Sequence, residues 1–326
     1  MLAESFCREP IRHVDVRPAM TVDELVRGMR YAGFGAGRLA RAVDIYEQML
    51  RDKALIVLGF AGAMVPAEMK KVVVELIKRR MIHVIVSTGA NMVHDILEAC
   101  GGAHYRGTPH IDDKKLFKHQ IDRIFDVFIP EDYFKDYFDK LILKVLDKIA
   151  EKYGNKPLST PELLREIGSE LKDENSIVYN AYKFNVPIFV PAVQDSCIGL
   201  TAWEYEFKHG GKHVVIDAFK ELSEFISLIS RAERLGAIII GGGVPKNYIF
   251  QTAFELKRPY DYAIQITMDR PEIGGLSGAT LEEAVSWGKV GSEAARVQVI
   301  GDATICFPII AAAIIERMKK AGWKVG

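Results

Sequence analysis

From Lys53 onward the chain alternates short runs that are apolar at every position with longer stretches whose apolar residues recur every three or four positions. The apolar runs fall at 54–59, 84–86, 186–190, 214–216, 237–240, 262–266 and 297–300. A strand apolar at every position is buried on both faces, which implies a parallel sheet with helices on each side. The expected fold class is therefore α/β: a doubly wound, mostly parallel sheet with helices on both faces, Rossmann-like. Residues 1–50 read as a polar lead followed by helices, with Thr21 as an N-cap and Asp23 and Glu24 in the first turn. Residues 114–172 are charged and helical in pattern, broken at Asn155-Lys156-Pro157, and read as a helical insertion. With no repeat period and no low-complexity linker, residues 1–326 are expected to form a single domain.

Composition narrows the class. The 326 residues are 49% hydrophobic, enough for one large core or two smaller ones. Basic and acidic residues balance at 43 each, so bulk charge gives no reason to expect a nucleic-acid or membrane partner. The late apolar run 307–315 is too short to span a bilayer, and no secretory pattern opens the chain, so a cytoplasmic location is expected. Cys7, Cys100, Cys197 and Cys306 lack paired spacing, which argues against a zinc site or disulfides, and no metal is expected.

Candidate chemistry gathers where the apolar runs end. After the first comes Gly59-Phe60-Ala61-Gly62-Ala63-Met64-Val65-Pro66, read as a small-residue turn into a helix starting near Pro66. After the second comes Ser87-Thr88-Gly89-Ala90-Asn91. Amides at such helix starts can hold a phosphate, but neither stretch is G-x-G-x-x-G, so phosphate cradle and plain tight turn both stand. Gly241-Gly242-Gly243 gives a third turn, with Pro245 at a helix start. Asp195 and Asp302 each follow an apolar run and suit either ribose hydroxyls or a helix cap. His94 is placed as a base or amine-binding residue, or as a structural histidine bonded to Asp95 or backbone. His104, His110 and His119 read as surface or loop residues.

The densest stretch is 274–289, Gly-Gly-Leu-Ser-Gly-Ala-Thr-Leu-Glu-Glu-Ala-Val-Ser-Trp-Gly-Lys. Two glycine turns lead into a short helical pattern ending at Trp287, Gly288 and Lys289. An unprotonated lysine captures carbonyl or imine carbons, and burial or a nearby cation favours that form. Trp287 offers an apolar wall and a π-face for a cation, and Glu283 can pair with an ammonium. On these residues alone, a core Trp287 with a solvated Lys289 remains the competing reading.

The run from Glu283 to Lys289, with Ser277-Gly278-Ala279 upstream, resembles the active-site segment of the deoxyhypusine synthase family, and the similarity extends from about residue 58 to 305. The resemblance implies that Lys289 carries a covalent imine intermediate. It implies NAD as cofactor, held through Gly62, Ala63, Met64, Val65, Pro66, Thr88, Gly89, Ala90, Asp195, Asp302 and Ala303. It assigns polyamine binding to His94, Asn247, Gly274, Glu283 and Trp287. The implied reaction moves the aminobutyl group of spermidine to a lysine of the hypusine-bearing translation factor, in a homotetramer whose active sites are each built by two subunits.

Departures from the family pattern cluster on the polyamine side. Asn247 stands where the family has histidine, His94 where it has glutamate, and Leu200 and Leu276 where it has aspartates. Each buried ammonium of a polyamine needs an anionic or π partner, so leucines there remove partners unless Asp269, Glu272 or the His94-Asp95 pair replaces them. The alternative implied is transfer to a small diamine such as putrescine, as in homospermidine synthesis, or a non-catalytic family member.

Overall fold

A computed structural model describes residues 9–210 and 214–323; the first eight residues of the lead, Cys7 among them, lie outside the described residues. After helices Val22–Gly28 and Phe34–Arg51, nine strands follow in chain order: β1 (Leu55–Phe60), β2 (Val84–Ser87), β3 (Tyr105–Arg106), β4 (Ile121–Ile124), β5 (Val127–Pro130), β6 (Ile188–Phe189), β7 (Leu235–Ile240), β8 (Tyr260–Thr267) and β9 (Val290–Ile300). Six of them form one sheet in the order β6-β2-β1-β7-β8-β9, and every neighbouring pair is parallel. Counted along the chain within this sheet, the order is third, second, first, fourth, fifth, sixth. That is the doubly wound dinucleotide-fold arrangement, which opens a crevice between β1 and β7, where the order reverses.

The all-apolar runs become the interior because successive residues point to opposite faces and each face has its own core. Leu58, Ile85, Ile238 and Ile264 stand side by side across β1, β2, β7 and β8 and pack under helices Phe34–Arg51, Gly89–Ala99 and Ala303–Lys320. Their neighbours Val57, Val84, Ala237 and Ala263 face the other way, into a second cluster with Phe225 and Phe250 of helices Ala218–Ser230 and Gly243–Glu255.

One expectation is corrected. Residues 214–216 do not join the sheet: Leu158 pairs its backbone with Val215 and Asp217, and only a single Leu158–Ile216 bridge forms. Three apolar residues satisfied by one neighbour need no ladder. The stretch 114–172 is mainly helical, as expected, and within it β4 and β5 make a hairpin joined to β3 in a small antiparallel sheet. Phe125 turns that hairpin with a φ of 53°. Among the described residues no helix is long and apolar enough to cross a membrane.

Candidate active site

The first half of the site lies at the carboxyl ends of β1 and β2. Ala61 N–H donates to Ile240 O at 3.2 Å, tying the loop after β1 to β7 across the crevice. Asn91 fastens the same loop: its Oδ1 accepts from Val65 N–H at 3.2 Å and its Nδ2 donates to Phe60 O at 3.1 Å. Gly62 and Ala63 are left exposed, Met64 is half-buried, and Val65 and Pro66 are buried. Gly62 needs its glycine, with φ at 81°. The helix expected near Pro66 begins only at Lys70, because Glu68 turns into the left-handed region at φ 63° and breaks it.

The helix Gly89–Ala99 starts directly after β2. Thr88 makes no side-chain cap, and its buried Oγ1 has no hydrogen-bond partner. A Cβ on Gly89 would stand 2.5 Å from the Ser196 side chain, so only glycine lets the backbone come this close. Unclaimed amides at the start of an eleven-residue helix, beside an orphaned hydroxyl, fit the phosphate or ribose oxygens of a nucleotide. Asp195 is exposed in a turn, its N–H donating to Ala192 O at 3.0 Å, so 191–194 is not a strand. Asp302 caps the helix beginning at Ala303, accepting from Thr304 N–H at 2.8 Å. The capping reading therefore describes Asp302, while Asp195 caps nothing.

The second half surrounds Lys289. A Cβ on Gly242 would stand 2.3 Å from Ser277 Cα, so the loop 268–280 lies directly on the triple glycine. That loop leads through exposed Gly274 to the helix Leu281–Ser286, whose N-cap Thr280 accepts from Glu283 N–H. A narrow cleft results, with Lys246, Asn247, Leu276, Glu283, Trp287 and Lys289 among its walls. Lys289 is half-buried, its Nζ 5.2 Å from the centre of the Trp287 ring, in cation–π range. Trp287 is not a core residue: it is 55% exposed and meets Phe254 edge-on. Neither of the competing readings of this stretch describes it fully.

Lys246 escaped the sequence reading. It is 4% exposed, and its Nζ donates to Gln265 Oε1 at 3.0 Å, Leu276 O at 2.8 Å and Ala279 O at 2.6 Å. Gln265 in turn donates to Gly241 O and Ser277 O. Burial lowers the Lys246 pKa to about 8, with Glu283 opposing and Lys289 adding to the shift. A visible signal existed: a lysine one residue past Pro245 falls on the inward side of the first helical turn.

The backbone of Lys289 and the carboxyl ends of the strands stand at different levels of the sheet, although the Lys246 and Leu276 walls of its cleft reach back toward those ends. Val290, next to Lys289, pairs with Tyr260 at the start of β8, whereas Ile300 pairs with Thr267 at its end. Seven residue steps at about 3.3 Å put roughly 23 Å between those levels.

His94 lies on the helix Gly89–Ala99, outside the walls of the Lys289 cleft. It bonds neither to Asp95 nor to backbone; its Nδ1 is 2.9 Å from His104 Nε2. His104, expected at the surface, has a side chain only 2% exposed, with Nδ1 2.5 Å from Glu98 Oε1. Burial, helped by the neighbouring His104, lowers the His94 pKa to about 4. Asp95 is unavailable to a substrate, because its carboxylate accepts from Ser176 Oγ and from the N–H groups of Ile177 and Val178. Asp269 is half-buried and takes the Ser277 hydroxyl, Glu272 is exposed, and so are Leu200 and Leu276.

Comparison with known proteins follows this geometry. A family model described as deoxyhypusine synthase matches residues 24–314. The "Probable deoxyhypusine synthase 1" of Methanosarcina acetivorans is 47% identical over 315 residues, covering 95% of this chain and 96% of its own. The "Probable deoxyhypusine synthase 2" of Archaeoglobus fulgidus is 44% identical over 296 residues, covering 88% and 96%. In fold, the chain is similar to the crystal structure of a deoxyhypusine synthase candidate from Entamoeba histolytica, with a TM-score of 0.63 at 20% identity, covering 94% of this chain and 97% of that one. With the match running through both halves of the site and nearly the whole length of its relatives, this chain belongs to the deoxyhypusine synthase family.

Proposed function

We propose that the protein is a cytoplasmic, NAD-dependent aminobutyl transferase, moving the four-carbon amine of spermidine to a lysine of the hypusine-bearing translation factor through an imine on Lys289. The observation that carries this reading is the half-buried Lys289 amine against the face of Trp287, with Glu283 in the same cleft. Family membership supports the reaction class.

Gly62 to Pro66, the Thr88-Gly89-Ala90 helix start, Asp195 and the Asp302-Ala303 turn would hold NAD, whose fit is supported by the orphaned Thr88 hydroxyl and the tight Gly89 contact. When bound, NAD supplies the acceptor for hydride from the carbon beside the secondary amine and returns that hydride at the end. Lys289 attacks the oxidised carbon, expels the departing amine and keeps the aminobutyl group as a protein imine. Trp287 and Glu283 hold the remaining ammonium by its charge, and the family resemblance adds the exposed Gly274 of the preceding loop to the polyamine contacts. The acceptor lysine then displaces Lys289, and holding all partners together makes each step effectively intramolecular.

The roughly 23 Å between the backbone level of Lys289 and the strand ends favours sites completed by a second copy, as expected for a homotetramer. Transfer to a small diamine such as putrescine is the second reading, favoured by Leu276 in the cleft wall, where a carboxylate would hold another ammonium.

Labelled spermidine, NAD and borohydride decide the matter. Without acceptor, label should lodge on Lys289 and vanish in Lys289→Ala, while NAD affinity stays nearly unchanged. Label retained in Lys289→Ala removes the nucleophile. Adding either the translation factor or putrescine then shows which acceptor collects the label.

A further inference from the structure

Outside the Lys289 cleft, the described residues hold a buried polar chain that ends at His94 and runs through three residues given no role above. Lys70, at the start of the helix Lys70–Lys78, is paired with Glu98, and both side chains are more than nine-tenths buried. Glu98 meets His104 Nδ1, and His104 Nε2 meets His94 Nδ1. No other hydrogen bond joins His94 to the described residues, so its Nε2 is left open. One end of the chain reaches a surface hollow lined by Lys70, Lys71, Glu98 and His104. The other end, His94, lies on the helix that begins where β2 ends, facing Phe134 edge-on at 6.2 Å. Phe134 also meets Phe138 edge-on, with centroids 6.4 Å apart. Aromatic faces beside an open imidazole nitrogen suit an ammonium that must lose a proton.

We propose that His94, His104, Glu98 and Lys70 form a proton relay in which His94 Nε2 takes the proton of the substrate's secondary ammonium. This rests on the function proposed above, in which that nitrogen's lone pair must be free before the adjacent carbon gives up hydride.

The bonding partners and a neutral His104 together set the direction. Glu98 can only accept while ionised, so His104 carries hydrogen on Nδ1. In the neutral state of His104 from which the relay starts, its Nε2 accepts from His94 Nδ1–H, and His94 Nε2 holds a lone pair. The lowered pKa of His94 keeps that ring neutral, and hydrogen bonds from His104 and Lys70 keep Glu98 charged against its burial. In the step itself the substrate N–H breaks and His94 Nε2–H forms, while His94 Nδ1–H passes to His104 Nε2. The positive charge thus moves from the substrate to His104, beside the Glu98 carboxylate, and no proton is created or lost. The groups facing the two rings are Glu98 and Lys70 on one side and Phe134 on the other; Asp95 points away into its helix cap.

The test reads reduced nicotinamide when spermidine is added to the NAD-loaded protein. His104→Gln should slow its appearance roughly a hundredfold near neutral pH. The deficit should shrink by about tenfold per pH unit as the medium takes over deprotonation of the amine, whose ordinary pKa is about 10. Glu98→Gln should show the same recovery from a smaller loss. A loss that does not change with pH, or no loss, overturns the relay.

Isotope-labelled histidine in the wild-type protein gives a readout independent of catalysis and of variant folding. Nuclear magnetic resonance should find His94 protonated on Nδ1 and bare on Nε2; the opposite tautomer overturns the proposal. If wild-type protein forms no reduced nicotinamide, the reaction assigned above fails, and the tautomer still judges the relay by itself.

Discussion

Among single residues, Lys246 is the one whose removal separates holding the site from performing the reaction. Its ammonium gathers two loop carbonyls and Gln265 at one point, beneath the turn that carries Leu276 and Ala279 toward the helix bearing Glu283. Lys246→Met keeps the side-chain length but strands those acceptors, each worth about 1–3 kcal/mol when buried without a partner. We expect Lys246→Met to lower stability by a few kcal/mol and to cut borohydride-trapped label on Lys289 at least tenfold, with NAD affinity unchanged. Denaturant titration and the trapping yield check both effects. Undiminished label would show that the loop keeps its place without this lysine. The lysine itself was readable in the sequence, but its partners were not, because Gln265, Leu276 and Ala279 come together only when the loop folds back over the triple glycine.

At the scale of elements, periodicity carried the main sheet and failed on the small pieces. Strands β1, β2, β7 and β8 lie at or within a residue or two of the apolar runs, since burial on both faces leaves no room for a polar position. Residues 214–216 have the same composition, yet Leu158 satisfies their backbone and the sheet already ends at β6. The hairpin of β4 and β5 hides among charges because most of its positions are half-buried on both faces and show no clean alternation.

Asp95 joins two elements, reaching from the helix Gly89–Ala99 to the first amides of the helix Ile177–Phe184. Burial raises its pKa to about 6 from 3.8, although three hydrogen bonds and Lys70 pull the other way. A raised carboxyl pKa means that folding favours the protonated form, so this stabilisation is complete below about 3.8 and fades as pH rises through about 6. The stability advantage of wild type over Asp95→Asn should therefore fall by up to about 3 kcal/mol between those values. Chemical denaturation at several pH values measures it, and an advantage that grows with pH would mean that the helix amides outweigh desolvation.

For the molecule as a whole, the decisive fact is the length of β9. Lys289 sits at its start and Asp302 just past its end, and the register with β8 holds those levels roughly 23 Å apart. We propose that a second copy closes the gap between the backbone level of Lys289 and the strand ends. The surface offers a means of bringing in a second copy: Leu200, Trp203 and Phe207 lie on one exposed face of the helix Cys197–Lys208, the last two stacked with centroids 5.8 Å apart. If each site takes its lysine half from one subunit and its nucleotide half from another, two inactive variants should rescue each other. Lys289→Ala lacks the nucleophile, and Gly89→Val drives a side chain into Ser196 and closes the nucleotide half. Each alone should transfer nothing. In mixed oligomers half of the lysine halves and half of the nucleotide halves are intact, so random pairing restores about one site in four. Native mass spectrometry establishes that mixed species have formed, and label transfer counts the working sites. Mixed oligomers without activity would overturn the shared site, and both halves would then have to come from one chain.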